Sequence, residues 1–389
     1  MRLIYCTDFS EQFPYRILSG IYRYAQETRV PWAVCRMPSD LRFGYDFKQL
    51  VQWALQWRAD VVVGQFEPEN DVQEFRRNGI VVIAQDFIKP FSGIPNLTAD
   101  YALQGAMAAE RFMARGYREY AFFGNNGMCW SDARRDGFRA RLEEAGHAGH
   151  IHIYKRKRID NLWSYRQDLL HPWLLSLPKP VGIMACDDNQ AAILVEACNV
   201  LGIRIPYDAA IIGVDNDEVT CNLSTPPISS IDVDIERGGY ELAAMADEMV
   251  RNPENPGHDI VLHPMHIVTR ASSNTLTTQD VAVHDALTFI HSHLDRKITV
   301  SDVLKHVPLS RRLLEQRFLK ATGATIYHYI SEQRINYFAG MLLTSKESIA
   351  NLAARFDEPD AKALSRRFKA LRGCTPSQFR KKNLRKLGD

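Results

Sequence analysis

The chain has 389 residues, 46% hydrophobic and 24% charged, which allows two or three domains with sizeable cores. Its seven cysteines stand singly with no Cys-x-x-Cys pair, so neither a disulfide framework nor a structural zinc site is indicated. The net charge of +2 hides an asymmetry, because residues 276–389 carry 20 Lys+Arg against 11 Asp+Glu and the remainder 28 against 35, a basic tail on an acidic body that points to nucleic acid.

The first residues, Met1-Arg2-Leu3-Ile4-Tyr5-Cys6, go directly into strand-like sequence without the apolar region of a signal peptide. No run reaches the roughly 20 apolar residues of a membrane span, so a cytoplasmic protein with no membrane role is expected. Up to about residue 270 short apolar runs alternate with helical patterns. Strands are predicted at 3–6, 32–35, 61–63, 80–83, 120–123, 151–154, 182–185 and 210–213. Helices are predicted between them at 17–27, 47–56, 101–113, 134–145, 165–175, 189–201 and 236–250. Continuous apolar runs are what strands buried on both faces require, and the alternation argues for an α/β architecture with parallel sheets. About eight strands suit two doubly wound lobes better than one barrel. Residues 271–279, rich in Ser and Thr, read as a linker.

Beyond the linker one pattern is written twice. Arg317-Phe318, Gly323, Thr325 and Tyr329 recur as Arg367-Phe368, Gly373, Thr375 and Phe379, each 50 positions later. In the first copy Thr299 caps a helix with Asp302 three residues on, Val307-Pro308-Leu309 turns, and Ser310 recaps a second helix that ends at Gly323. In the second copy Ser348 starts a helix, Asp357-Glu358-Pro359 turns, and Asp360 caps a helix that ends at Gly373. A long helix through Arg334-Ile335 and Met341-Leu342-Leu343 joins them. Two such units on a stiff spacer suit neighbouring major grooves.

These residues, with Leu364-Ser365-Arg366 and Gly373-Cys374-Thr375-Pro376-Ser377-Gln378-Phe379-Arg380, resemble the DNA-binding domain of the AraC/XylS family of transcription regulators over 298–380. One departure is Asp357-Glu358, where the family has Gly-Phe; acids beside phosphates repel, so the second unit is expected to bind DNA more weakly. Upstream, Val214-Asp215-Asn216 after a strand, Asp187-Asp188-Asn189-Gln190-Ala191, Arg134 three residues before Gly137-Phe138, and Ala99-Asp100-Tyr101 resemble the LacI/GalR ligand-binding domain. The resemblances imply an α/β two-lobed periplasmic-binding-protein-like (type I) domain over 1–270, followed by an all-α tandem helix-turn-helix domain over 280–389. The first lobe is expected at about 1–117 plus 236–250, the second at 118–235 plus 259–268. The implied function is a sugar-responsive transcription regulator, an activator of pentose use with D-xylose as its leading effector. A homodimer on double-stranded DNA is implied, with RNA polymerase as a further partner and no cofactor.

Each candidate residue has a plainer reading beside the functional one. A carboxylate accepts two hydroxyl hydrogen bonds and arginine donates several in a fixed fork, so Asp215, Asp187, Asp188, Asp8 and Arg134 can grip a polyol, with Trp130 against its C–H face and Phe9 beside Asp8. An Asp after a strand is also a common helix cap, and one of Asp187 and Asp188 is expected to cap the helix at Asn189. At the DNA end Arg312, Glu315 and Gln316, and Lys362, Arg366 and Arg367, are expected on the helices that enter the groove, where Arg suits guanine and Gln adenine. Solvated positions or phosphate contacts are the alternatives for these, and for the basic run Arg380-Lys381-Lys382. His147, His150 and His152 read as surface histidines, not as a metal site. The rival functions are a sugar-modifying enzyme with a basic C-terminal domain, a transport-type binding protein, and a repressor answering another monosaccharide.

Overall fold

A computed structural model describes residues 1–9, 11–37, 47–68, 70–154, 167–274, 280–291, 293–294, 296–344, 347–356 and 361–385. The expected turn Asp357-Glu358-Pro359 and cap Asp360, and most of the expected linker, lie outside them. The chain divides into two compact units, 1–275 and 276–389.

The first unit holds two six-stranded sheets. In chain order the strands are β1 (Arg2–Cys6), β2 (Ala33–Arg36), β3 (Val61–Gly64), β4 (Val81–Gln85), β5 (Asn96–Ala99), β6 (Glu119–Phe123), β7 (Ile151–Ile153), β8 (Val181–Ala185), β9 (Ala209–Val214), β10 (Ser229–Val233), β11 (Ile260–Leu262) and β12 (Pro264–Val268). One sheet runs β11-β5-β4-β3-β1-β2 and the other β12-β10-β9-β8-β6-β7. The pairs are parallel except β10 with β12. Strands β3, β8 and β9 are buried along their whole length, as Val61-Val62-Val63 and Ala209-Ala210-Ile211-Ile212 require. The chain passes from sheet to sheet after β5, after β10 and between β11 and β12. These crossings are tied to one another: Asp100 N–H donates to the Leu262 carbonyl (2.9 Å) and Asp234 N–H to that of His263 (3.1 Å).

The lobes differ from the expected division in two places. The helix Tyr101–Ala114, expected with the first lobe, packs over the second sheet, where Phe112 covers Gly182 of β8 and Ala102 meets Gly137 of the helix Cys129–Glu144. The predicted strand 259–268 is really two, for β11 joins the first sheet and β12 the second. Each lobe also has a close helix crossing. A Cβ at Gly137 would collide with the Ala102 backbone, and one at Gly239 of the helix Ile235–Arg251 with Ile17 of the helix Gln12–Thr28. The first of these crossings brings Arg134, one turn before Gly137, within reach of Gln104 (2.6 Å).

Among its described residues the second unit contains helices alone: Val281–His291, Val300–His306, Arg311–Thr322, Ile326–Thr344, Ile349–Arg355, Ala361–Arg372 and Pro376–Arg385. Thr299 and Asp302 form the expected capping box, and Ser348 caps its helix through Asn351 N–H. Gly323 and Gly373 end their helices at φ 74° and 72°, a left-handed conformation that glycine adopts without penalty. The repeat is also a repeat of packing. Phe318 meets Tyr329 edge-on at 5.4 Å and Phe368 meets Phe379 edge-on at the same 5.4 Å, each inside its own cluster. No helix among the described residues is long and apolar enough to cross a membrane.

Candidate functional site

Between the two sheets lies a cleft, partly open to solvent, at the carboxyl ends of the strands, where open α/β sheets hold their ligands. The first lobe contributes Asp8 after β1, Gln65 after β3 and Asp86 after β4; the second contributes Asp187 after β8 and Asp215 after β9. Arg134 enters from the helix Cys129–Glu144 and is fixed on every side. Its Nε donates to Gln104 (2.6 Å), Nη1 to the Cys186 carbonyl (2.6 Å) and Nη2 to Asp215 (3.2 Å), while Tyr101 and Trp130 lie against the guanidinium at 5.3 and 5.5 Å. With Arg134 5% exposed and Asp215 20%, the pair is screened less than a surface ion pair. Two buried polar atoms at the rim of this set, Asp86 Oδ1 and Gln104 Nε2, have no protein partner. Buried polar groups are ordinarily satisfied, so these two stand as ready contacts for a hydroxyl.

The structure sorts the predicted residues. Asp215, Arg134, Asp187, Asp8 and Trp130 line the cleft. Asp187 does two things at once, capping its helix by accepting from Gln190 N–H (2.7 Å) while facing the cleft. Asp188 is not in the lining. Its carboxylate tucks against Gly213, which leaves room only because it has no Cβ, and accepts from Asp217 N–H (2.7 Å). Phe9 also falls outside the lining, for it packs edge-on against Tyr5 and Tyr15, both at 5.5 Å, with Arg36 over its ring.

Sequence reasoning missed Glu11, Asp86 and Gln104, which also line the cleft. Asp86 carries the same sign as the others, an Asp just after a strand, and was legible. Glu11 precedes the helix Gln12–Thr28, and its carboxylate accepts from Asn189 of the other lobe (3.0 Å). Burial first, then the charges of Asp187, Asp8 and Asp215, push its pKa up to about 8. Burial likewise raises the pKa values of Asp86 and Asp187. A carboxyl with a folded-state pKa above its unfolded value stabilises the fold below the unfolded pKa and loses that contribution as pH rises through the folded one. The melting temperature of this unit is therefore expected to fall between about pH 4.5 and pH 8, and Glu11→Gln to flatten that fall in a thermal scan across the window. An unchanged profile in the variant would refute the assignment.

At the basic end Arg312 and Gln316 are exposed on the helix Arg311–Thr322, and Lys362 and Arg366 on Ala361–Arg372. Arg367 is half-buried. Glu315, expected among the groove-facing residues, turns instead to the next helix and accepts from Ile326 N–H (3.3 Å), capping it. Glu119 lies between His150 (2.7 Å) and His152 (2.9 Å), and His147 stacks edge-on with Tyr120. Among the described residues no set of three or more His, Cys, Asp or Glu is arranged to hold a metal ion.

Residues 109–273 match the periplasmic binding protein-like domain family and 303–382 the helix-turn-helix domain family. Over 98% of its length the chain is 25% identical to the xylose operon regulatory protein of Escherichia coli K12, covering 97% of that protein. It is 27% identical to the Haemophilus influenzae protein of the same name, over 94% of each chain. The structure of a xylose-binding transcription activator superposes over 98% of this chain and 97% of that one with a TM-score of 0.76 at 22% identity. A LacI-family regulator from Enterococcus faecalis with bound ribose matches the fold over 71% of this chain and 99% of that one, with a TM-score of 0.58 at 18% identity. The chain thus carries a segment similar to the periplasmic binding protein-like domain ahead of one similar to the helix-turn-helix domain, and it aligns along nearly its whole length with the xylose operon regulatory proteins.

Proposed function

We propose that this protein is a sugar-responsive, DNA-binding transcription regulator, an activator of pentose utilisation whose effector is a neutral monosaccharide, D-xylose first among them. The observation that carries this reading is the presence in one chain of a carboxylate-lined cleft between two lobes and of a duplicated helix-turn-helix with exposed basic residues. The acids Asp8, Glu11, Asp86, Asp187 and Asp215 line the cleft, and the Arg134 guanidinium that enters it is already paired with Asp215, a setting that accepts hydroxyl protons and leaves no free cation among the described residues of the lining for a phosphate or a sugar acid. The two full-length relatives compared above and the aligned activator carry xylose in their names.

In mechanism, Asp215 and Asp187 accept hydroxyl hydrogen bonds, Arg134 donates from a fork already oriented by Gln104 and the Cys186 carbonyl, and Trp130 covers an apolar sugar face. A ligand touching both lobes stabilises the closed arrangement and so shifts a two-state equilibrium by its differential affinity. A homodimer in the cytoplasm would present two pairs of recognition helices to two half-sites, with RNA polymerase as the downstream partner.

DNA binding is tested by fluorescence anisotropy on a duplex that the chain itself selects from a random pool. Affinity is expected to fall steeply between 50 and 200 mM salt, by roughly 10³-fold or more if six or more phosphates are contacted. Gln316→Ala and Arg366→Ala are each expected to cost about 1–3 kcal/mol and to relax the sequence preference. Binding that ignores salt, with both variants at wild-type affinity, would rule out this interface.

A further inference from the structure

Two consecutive residues other than glycine, Asp215 (φ 91°) and Asn216 (φ 50°), hold left-handed backbone at the end of β9. Such conformations are sparsely populated and persist only where the surroundings over-determine them. Here the surroundings can be named. Arg16 Nη1 donates to the Asp215 carbonyl (2.7 Å), Asn216 N–H to Ser230 Oγ (3.0 Å), and Asp217 N–H to Asp188 (2.7 Å). The fourth contact comes from much later in the chain, where Arg270 Nη2 donates to the Asn216 side-chain oxygen (2.8 Å).

We infer that Arg270 is a positioning residue that carries the state of the sugar cleft, through Asn216, to the segment leading into the DNA-binding unit. The inference rests on the regulatory reading above. Arg270 stands six positions before Leu276, where the second unit begins. Its guanidinium also reaches the Ile228 carbonyl (3.0 Å) and Asn222 (3.1 Å), and its backbone N–H donates to Ser229 Oγ (2.8 Å). Two residues on, Ser272 donates to the Ile211 carbonyl (2.6 Å) and accepts from Ser229 N–H (2.8 Å). The exit segment is therefore fastened to β9 and β10, the strands that lead into Asp215 and into the crossing after Val233, and only Arg270 joins it to the strained pair by a side-chain contact seen among the described residues. A sugar that pulls on the Asp215 carboxylate acts on Asn216 through one peptide bond. The planar guanidinium joins the Asn216 side chain to the Ile228 carbonyl, so a shift of Asn216 is passed along it to the 270–272 segment.

The test is a coupling measurement on the full chain, with D-xylose as probe: sugar affinity by calorimetry, and affinity for the selected duplex with and without sugar. For wild type the sugar is expected to change DNA affinity by roughly 5- to 150-fold. Arg270→Ala is expected to reduce that change to under about twofold while sugar affinity stays within about threefold, a split that a merely structural role would not produce. Asn216→Ala removes the same bond from its other end and is expected to uncouple likewise, which keeps the test decisive should Arg270→Ala fold poorly. Asn222→Ala, which cuts an Arg270 contact away from the cleft, is expected to keep wild-type coupling. Full coupling in both Arg270→Ala and Asn216→Ala would overturn the inference, as would equal loss in Asn222→Ala. A wild-type chain that binds sugar and DNA independently would overturn the regulatory reading and the inference with it.

Discussion

Replacing Asp215 by Asn is expected to weaken pentose binding by at least about 100-fold, close to 3 kcal/mol. The change preserves shape and a residue type that tolerates the left-handed backbone at this position (φ 91°), so the effect reports charge and hydrogen bonding and not misfolding. The affinity loss comes from the carboxylate's hydroxyl bonds, each about 1.5–3 kcal/mol to a charged acceptor, which are weakened when the charge is removed. Arg134, almost wholly buried, also loses the charge opposite it, but that lowers the stability of the free and bound protein alike and shows in the melting temperature, not in the affinity. Calorimetry of the variant against wild type is the check; an affinity within a few-fold of wild type would mean the sugar does not touch Asp215.

The second large effect lies in the duplicated unit. Phe368 is fully buried in a cluster with Phe338, Leu352, Phe356 and Leu364, separate from the cluster around its counterpart Phe318. Phe368→Ala is expected to remove about 3–5 kcal/mol from the second half and to abolish tight DNA binding. Phe318→Ala should do the same to the first half. Because the first unit has its own cores, sugar affinity is expected to stay unchanged in both variants. Denaturant unfolding followed by helical signal checks this; a loss under about 1 kcal/mol would show that the cluster repacks around the gap.

Much of this arrangement could be read from residue patterns. The 50-position repeat became a repeat of structure because each Phe and each left-handed Gly has a fixed task in its half. The central strands β3, β8 and β9 were legible because they are buried along their whole length, which demands continuous apolar runs. Strands β5 and β10 were not, and their side chains explain it. Asn96 of β5 bonds the Phe91 backbone and Asp259, and Ser229 and Ser230 of β10 bond Arg270 and Asn216. Polar side chains at the lobe crossings serve partners distant in sequence and break the apolar pattern. The lobe that owns the helix Tyr101–Ala114 is decided by the Gly105 and Gly137 contacts, which periodicity does not encode. In the same way Asp187 and Asp188 are indistinguishable as letters, and only the missing Cβ of Gly213 draws Asp188 away from the cleft.

The central claim is that an uncharged pentose occupies the acid-lined cleft. Its most direct test is a calorimetric titration of the full chain with D-xylose, followed by D-ribose and by a pentose phosphate. Saturable heat with one site per chain for a neutral pentose, and none for the phosphate, is the expected result. No heat with either neutral sugar, in a preparation that still binds its selected duplex, would contradict it.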